Sequence, residues 1–273
     1  MHAGDGLVAS FLSSANPRDW TWLDTNPTRS PNAWAFRFIA RCAHTVIDNL
    51  SAIAALLALE SHVRSPVTLA RSALEAAATG CFIMDVGASA EERLRRIMNL
   101  WLEEVQEQWN RDRGGDSEPE SARLLNELSD FAEHSGFEVQ RSKVPTHRPP
   151  RIAGPGHSGA ARQLVEDVLP GIGKEIWRSM SGVAHSRQAT GFFAAEYSLP
   201  HTMKQWQRTQ STAWHAAPTI LATREFFQQT ENYFGWEFDH WSSLFDGLVS
   251  CFMSGGGLHD DEIRKKLGLQ RPT

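Results

Sequence analysis

Long stretches of this chain repeat apolar residues at intervals of three and four, the spacing that lines one stripe of an α-helix. No stretch of useful length alternates as a half-buried strand does. The periodicity predicts a first helix from about Asn32 to His62. Its second half, Ser51-Ala-Ile-Ala-Ala-Leu-Leu-Ala-Leu, is apolar all round and belongs at the centre of a bundle. Pro66 opens a second helix at a first-turn position, where its missing N–H is harmless, and that helix ends near Gly87. Ser89 with Glu92 three residues on makes a capping-box pattern. It starts a helix from Ala90 to about Arg111 with Leu94, Met98, Trp101, Leu102 and Val105 on one face, and Gly114-Gly115-Asp116 stops it. Further helices are expected over about Glu120 to His134, from Arg162 to Met180 with a break at Gly182 and resumption to Glu196, from Met203 to Tyr233, and from Trp236 to Met253. Pro218 should kink or break the second last of these.

The pattern as a whole implies an all-α protein, a single helical domain over residues 1–273 built as a bundle of about seven to nine helices. An irregular N-terminal arm, 1–31, packs by Trp20 and Trp22. A short tail helix lies within 259–273, beyond the hinge Gly255-Gly256-Gly257, and its acids Asp260, Asp261 and Glu262 suit the first turn of a helix. Between the two helical halves, residues 139–161 hold Arg141, Lys143, His147, Arg148 and Arg151, four prolines and no acid. This basic, Pro-rich connection either balances acids such as Glu133 and Glu138 or touches an anionic partner.

Composition narrows the class without naming an activity. Hydrophobic residues at 41% and charged residues at 22% are those of a globular chain that buries a core without disulfides. A net charge of −5 leaves any nucleic-acid site to a local patch. Cys42, Cys81 and Cys251 are scattered and odd in number, as expected of reduced thiols in a cytoplasmic protein. The first residues lack the basic and apolar regions of a secretion signal, and the longest apolar run, Leu50 to Leu59, is about half a bilayer span. No membrane association is therefore expected. The aromatic balance is unusual, with 10 Trp and 14 Phe against 2 Tyr. It reads as a bulky helical core or as an aromatic-lined pocket for an apolar or planar ligand.

Two polar constellations could carry chemistry. Arg71 and Glu75 are the only charged residues between Pro66 and Met84 and share a helix face one turn apart. Burial would oblige each to find a partner, with Arg93 and Arg96 the candidates for Glu75. Such a set is a structural ion-pair network or the polar floor of a ligand pocket. The second is Trp177-Arg178-Ser179-Met180-Ser181-Gly182-Val183-Ala184-His185-Ser186-Arg187. On a helix, Arg178, Ser181 and His185 leave the same face. Together they offer a cation for phosphate, a hydroxyl, and an imidazole that exchanges a proton near neutral pH, with no metal or cofactor. The bland alternative is a histidine satisfied between packed helices. Glu237 and His240 form a single E-x-x-H, and adding His44 and Asp48 does not complete the ligand set of a carboxylate di-metal bundle. No phosphate-binding P-loop, dinucleotide fingerprint or nucleophile elbow is present.

Arg178-x6-His185, after a run of helices, resembles the Arg-x(4–6)-His motif of the HEPN superfamily. Leu-Ala-Arg-Ser-Ala-Leu-Glu-Ala (69–76), Glu-Arg-Leu-Arg-Arg (92–96) and Met-Ser-Gly-Val-Ala-His (180–185) look like uncharacterised bacterial helical proteins grouped with HEPN-like domains, and the resemblance covers roughly residues 35–195. It implies a helical bundle that forms a homodimer and acts on RNA or a nucleotide, in many members as a metal-independent ribonuclease. It implies His185 as general acid or base, and Arg178 stabilising charge on the phosphate. Ser181 would join them in the catalytic set, with Arg71, Glu75, Arg93, Arg96 and Arg187 binding substrate. The chain departs from the pattern at Ser179, where the nuclease families carry Asn, Asp or His, and in its length and acidity. Two other readings fit the residues. One is a small-molecule enzyme of bacterial specialised metabolism with an aromatic-lined pocket, including a transferase that draws on an RNA-linked donor. The other is a non-catalytic interaction module.

Overall fold

The structure, a computed structural model, describes residues 31–58, 64–141, 150–153, 159–171, 173–184 and 201–235, together with Phe245 and Gly247. Among the described residues, 83% lie in seven helices, and one sheet of two very short strands is present. The protein is all-α. In chain order the elements are α1 (Pro31–Ala58), α2 (Arg64–Met84), α3 (Ala90–Asp112), α4 (Glu118–His134), β1 (Val139–Gln140), β2 (Arg151–Ile152), α5 (Ala160–Val168), α6 (Gly173–Ala184) and α7 (His201–Phe234).

Local chemistry explains most boundaries. Ser89 caps α3, its hydroxyl accepting the Glu92 N–H at 3.1 Å. The Glu92 carboxylate does not close the box and turns instead to Arg95 and Arg96. Past α3 and α4, Gly114 and Gly136 take positive φ (76° and 87°), where a side chain would be strained. The break expected at Gly182 lies elsewhere. Helix α6 runs through Gly182 to Ala184, and the chain turns at Leu169-Pro170-Gly171, with Gly171 at φ 87°. Proline followed by a left-handed glycine makes a turn, whereas a lone glycine inside a packed helix costs only about 1 kcal/mol. Pro218 likewise sits inside an uninterrupted α7. Around it the Thr219 and Thr223 hydroxyls donate to the carbonyls one turn back, of His215 and Thr219. The stretches 1–30, 185–200, 236–244 and 248–273, with the expected N-terminal arm, the resumption to Glu196, the last long helix and the tail helix, lie outside the described residues.

Strands, which the sequence pattern does not predict, bracket the basic connection. Val139 pairs with Ile152 and Gln140 with Arg151, antiparallel. Asn99 on α3 holds this hairpin by acting as a further strand. Its Nδ2 donates to the Ile152 carbonyl at 3.1 Å, and its Oδ1 accepts the Ile152 N–H at 2.8 Å. Arg141, at the end of β1, bonds Asp130 and Glu133, both at 3.1 Å. That residue of the basic connection therefore balances acids of its own chain; residues 142–149 lie outside the described ones.

The chain falls into two compact units. The first takes in Met1–Ile39, Phe82–His157 and Asn232–Gly235, and the second Ala40–Cys81, Ser158–Glu231 and Trp236–Thr273. In the first, α3 packs on α4 and the hairpin lies against both helices. Leu94, Met98 and Leu102 of the predicted face of α3 are fully buried, and so is Ile97 beside them. In the second, α5 packs on α6. There α2 approaches α7 so closely at Gly80 that a Cβ would lie 2.2 Å from the Phe226 ring. The Thr219 hydroxyl ties the same two helices by donating to the Ala70 carbonyl. Among the described residues, Ser65–Met84 is the one helical stretch long and apolar enough to cross a membrane, and 56% of it is buried inside the protein, as in the core helix of a bundle.

Candidate functional site

The two polar constellations meet in the second unit. Arg71 projects from α2 towards α6. Its Nε and Nη2 donate to Glu75 Oε1 at 3.0 and 2.9 Å, and its Nη1 donates to the Ser181 hydroxyl and carbonyl at 3.2 and 3.4 Å. The guanidinium carbon also stands 5.0 Å from the centre of the Trp177 ring. Every edge of Arg71 is thus engaged, and one face covers an aromatic ring. The Arg71 side chain is 13% exposed and that of Glu75 48%, so the cation is enclosed and the carboxylate opens to solvent. Glu75 takes Arg71 as its partner, in place of the expected Arg93 or Arg96.

Arg93 and Arg96 belong to the first unit, where they close the end of α2. Arg93 Nη1 donates to the carbonyls of Asp85 and Ala88 at 3.1 and 3.0 Å, and its guanidinium lies over Tyr233. Arg96 donates to the Phe82 carbonyl at 2.7 Å and pairs with Asp85 and Glu92 at 3.0 and 2.8 Å. Cations at a helix C-terminus satisfy its orphan carbonyls and its dipole. Glu92 also binds Arg95. The Arg95 hydrogen bond, followed by that of Arg96, holds the Glu92 carboxyl below the usual carboxylate range.

Helix α6 is built to present one face. Ile176 and Met180 are buried in the second unit. At its start the Glu166 carboxylate accepts the backbone N–H groups of Gly171 and Lys174, both at 3.0 Å, which holds its carboxyl below the ordinary range. With the inner face fixed, Arg178 is exposed, and Trp177, Ser179 and Ser181 are half-buried on the flanks. Ser181 accepts from Arg71 and keeps its own O–H to donate. The helix holds its register to Ala184; His185 and Arg187 lie outside the described residues, as do Glu237 and His240. Among the described residues no group of three or more His, Cys, Asp or Glu is placed to hold a metal ion.

Two further residues belong to this region. His215 of α7 is buried, and its Nε2 stands 3.1 Å from the Ser179 hydroxyl. Ser179 thus joins α6 to α7. The available signal is an imidazole alone among small apolar residues in Trp214-His215-Ala216-Ala217-Pro218. Lys174 is exposed one turn before Arg178 on the same face, and its i, i+4 spacing from Arg178 is the signal. No protein-family model, no curated protein and no solved structure matches this chain.

Proposed function

We propose that this is an HEPN-like RNA-acting protein, a metal-independent ribonuclease that works as a homodimer, with its reacting groups on α6 and just beyond. One observation carries the reading. Of the described arginines singled out from the sequence, Arg71, Arg93 and Arg96 spend their guanidinium groups on partners within the chain. Arg178 is exposed and makes no ion pair or side-chain hydrogen bond among the described residues. An unspent, always charged fork on a rigid helix is suited to a phosphate. Ser181, steadied by Arg71 on the adjoining flank, supplies a second donor.

The chemistry follows from these groups. A base takes the proton of the ribose 2′-hydroxyl, and that oxygen attacks the adjacent phosphorus. The P–O5′ bond breaks, the 5′-oxygen takes a proton, and a cyclic phosphate remains. His185 supplies the acid–base group, and Arg178 with the Ser181 hydroxyl stabilises the negative charge that builds on the phosphoryl oxygens.

Arg178→Ala tests the assignment. It should lower the rate of RNA cleavage roughly a hundredfold or more, the usual loss for a group that stabilises transition-state charge. The melting temperature should not move, because the side chain has no bonded partner to lose. Cleavage at the wild-type rate by Arg178→Ala would remove Arg178 from the chemistry.

A further inference from the structure

The contact between α6 and α7 sets a histidine behind a hydroxyl, next along the chain from Arg178. His215 is 6% exposed, and its Nε2 stands 3.1 Å from Ser179 Oγ, within the reach of a base for the proton it takes. The turn of α7 that carries the ring is fixed, because the Thr219 hydroxyl bridges the carbonyls of His215 and Ala70. A serine inside a helix commonly spends its hydroxyl on the carbonyl one turn back, as Ser51, Ser121 and Ser129 do in this chain. Ser179 turns to the imidazole instead. It is half-buried and keeps contact with solvent, so the pair has an enclosed end and an accessible end. With its proton donated to Nε2, the hydroxyl oxygen still accepts a second proton donor. Gly182 stands one turn on from both Arg178 and Ser179, at i+4 and i+3. Glycine is poorly suited to a helix interior, and here it leaves α6 without a side chain between the cation and the hydroxyl.

We propose that Ser179 and His215 form the relay that takes the proton of the ribose 2′-hydroxyl, beside a phosphate that Arg178 holds over Gly182. As the 2′-oxygen attacks phosphorus, its proton passes to Ser179 Oγ and the Ser179 proton passes to His215 Nε2. The serine ends as it began, and the imidazolium returns its proton to solvent once the cyclic phosphate has left. His185 keeps the other transfer, giving a proton to the departing 5′-oxygen. The inference rests on the RNA-acting reading and adds a base on α7. Ser179 touches the substrate, and His215 works through it.

The test is steady-state cleavage of a labelled RNA by the full chain and its variants, with thermal melts alongside. Ser179→Ala should lower kcat roughly a hundredfold and leave KM within about twofold. Ser179→Thr, which keeps the hydroxyl, should retain most of the rate. His215→Ala should lose a similar factor and regain about tenfold when imidazole is added to take the vacated place. The double variant Ser179→Ala, His215→Ala should gain nothing from imidazole, because the relay is cut at the serine. A clasp that only holds α6 to α7 gives no such rescue. If His215→Ala fails to fold, the two Ser179 variants decide. Wild-type kcat in Ser179→Ala, or a folded His215→Ala that imidazole leaves slow, overturns the relay, while cleavage by the wild type keeps the RNA-acting reading standing. No cleavage by folded wild-type protein overturns both.

Discussion

At the scale of single residues, the polar groups divide into those consumed by the fold and those left over. Asn99 is consumed. It is 7% exposed, and the two ends of its amide serve the backbone N–H and C=O of one buried residue, Ile152. Asn99→Ala strands a buried donor and a buried acceptor, so urea denaturation should show a loss of about 2–3 kcal/mol. A loss below about 0.5 kcal/mol would mean that the hairpin does not depend on this clamp. The thiols are consumed too. Burial raises the Cys42 thiol from its usual value near 9 to about 11, and lifts Cys81 well above the ordinary range. The folded pKa of each is raised, so the stability involved is fully present below pH 9. It is lost as the pH climbs through 9 towards 11, where an unfolded chain ionises and the folded one resists. Native protein at pH 8 should therefore alkylate at neither cysteine on the timescale of the denatured chain, read by mass spectrometry of the two peptides. Rapid labelling of native Cys42 or Cys81 would contradict their enclosure. The sequence marks both kinds of residue as polar or reactive, but not which are spent. Arg71 and Arg178 look alike as letters, and only the contacts of Arg71 with Glu75, Ser181 and Trp177 tell them apart.

At the scale of elements, period and punctuation carried most of what could be read. The stripe Leu94, Met98, Trp101, Leu102 and Val105, buried except for the half-buried Trp101, and the Ser89 cap place α3 within a residue of its observed ends. The pattern places a break at Gly182, whereas the chain turns at Pro170-Gly171, because a lone glycine yields to packing and proline followed by a left-handed glycine does not. Pro218 shows the same override, since a buried, threonine-rich stretch keeps α7 helical around it. The two strands are too short to leave an alternating pattern, and they exist through Asn99. Helix proximity is the other feature hidden from periodicity. Gly80 lets α2 approach Phe226 of α7 so closely that a Cβ would meet its ring at 2.2 Å. Gly80→Ala should cost about 1–3 kcal/mol by overpacking, despite alanine's better helix propensity. Pairing it with Phe226→Leu should recover part of that loss, so the double variant is less destabilised than the sum of the singles. Simple additivity in thermal melts would show that the two residues do not meet.

At the scale of the whole molecule, the all-α class was legible because helix periodicity pervades the chain, whereas the site was legible only in part. Arg71, Glu75 and Ser181, chosen from two separate motifs, lie together beside Trp177, while Arg93 and Arg96 serve the end of α2. Of the residues singled out from the sequence, α6 retains an unspent cation, Arg178, and a steadied hydroxyl, Ser181, on the face that the Arg-x6-His spacing picks out. We propose that this face cleaves RNA without a metal, with His185 moving the proton. The most direct measurement is incubation of the purified chain in excess EDTA with a labelled RNA, with the same RNA carrying 2′-deoxy sugars, and with His185→Ala in parallel. The expected result is cleavage of the RNA to cyclic-phosphate ends, no cleavage of the 2′-deoxy strand, and loss of activity in a folded His185→Ala. Absence of cleavage by folded wild-type protein, or undiminished cleavage by His185→Ala, would contradict it.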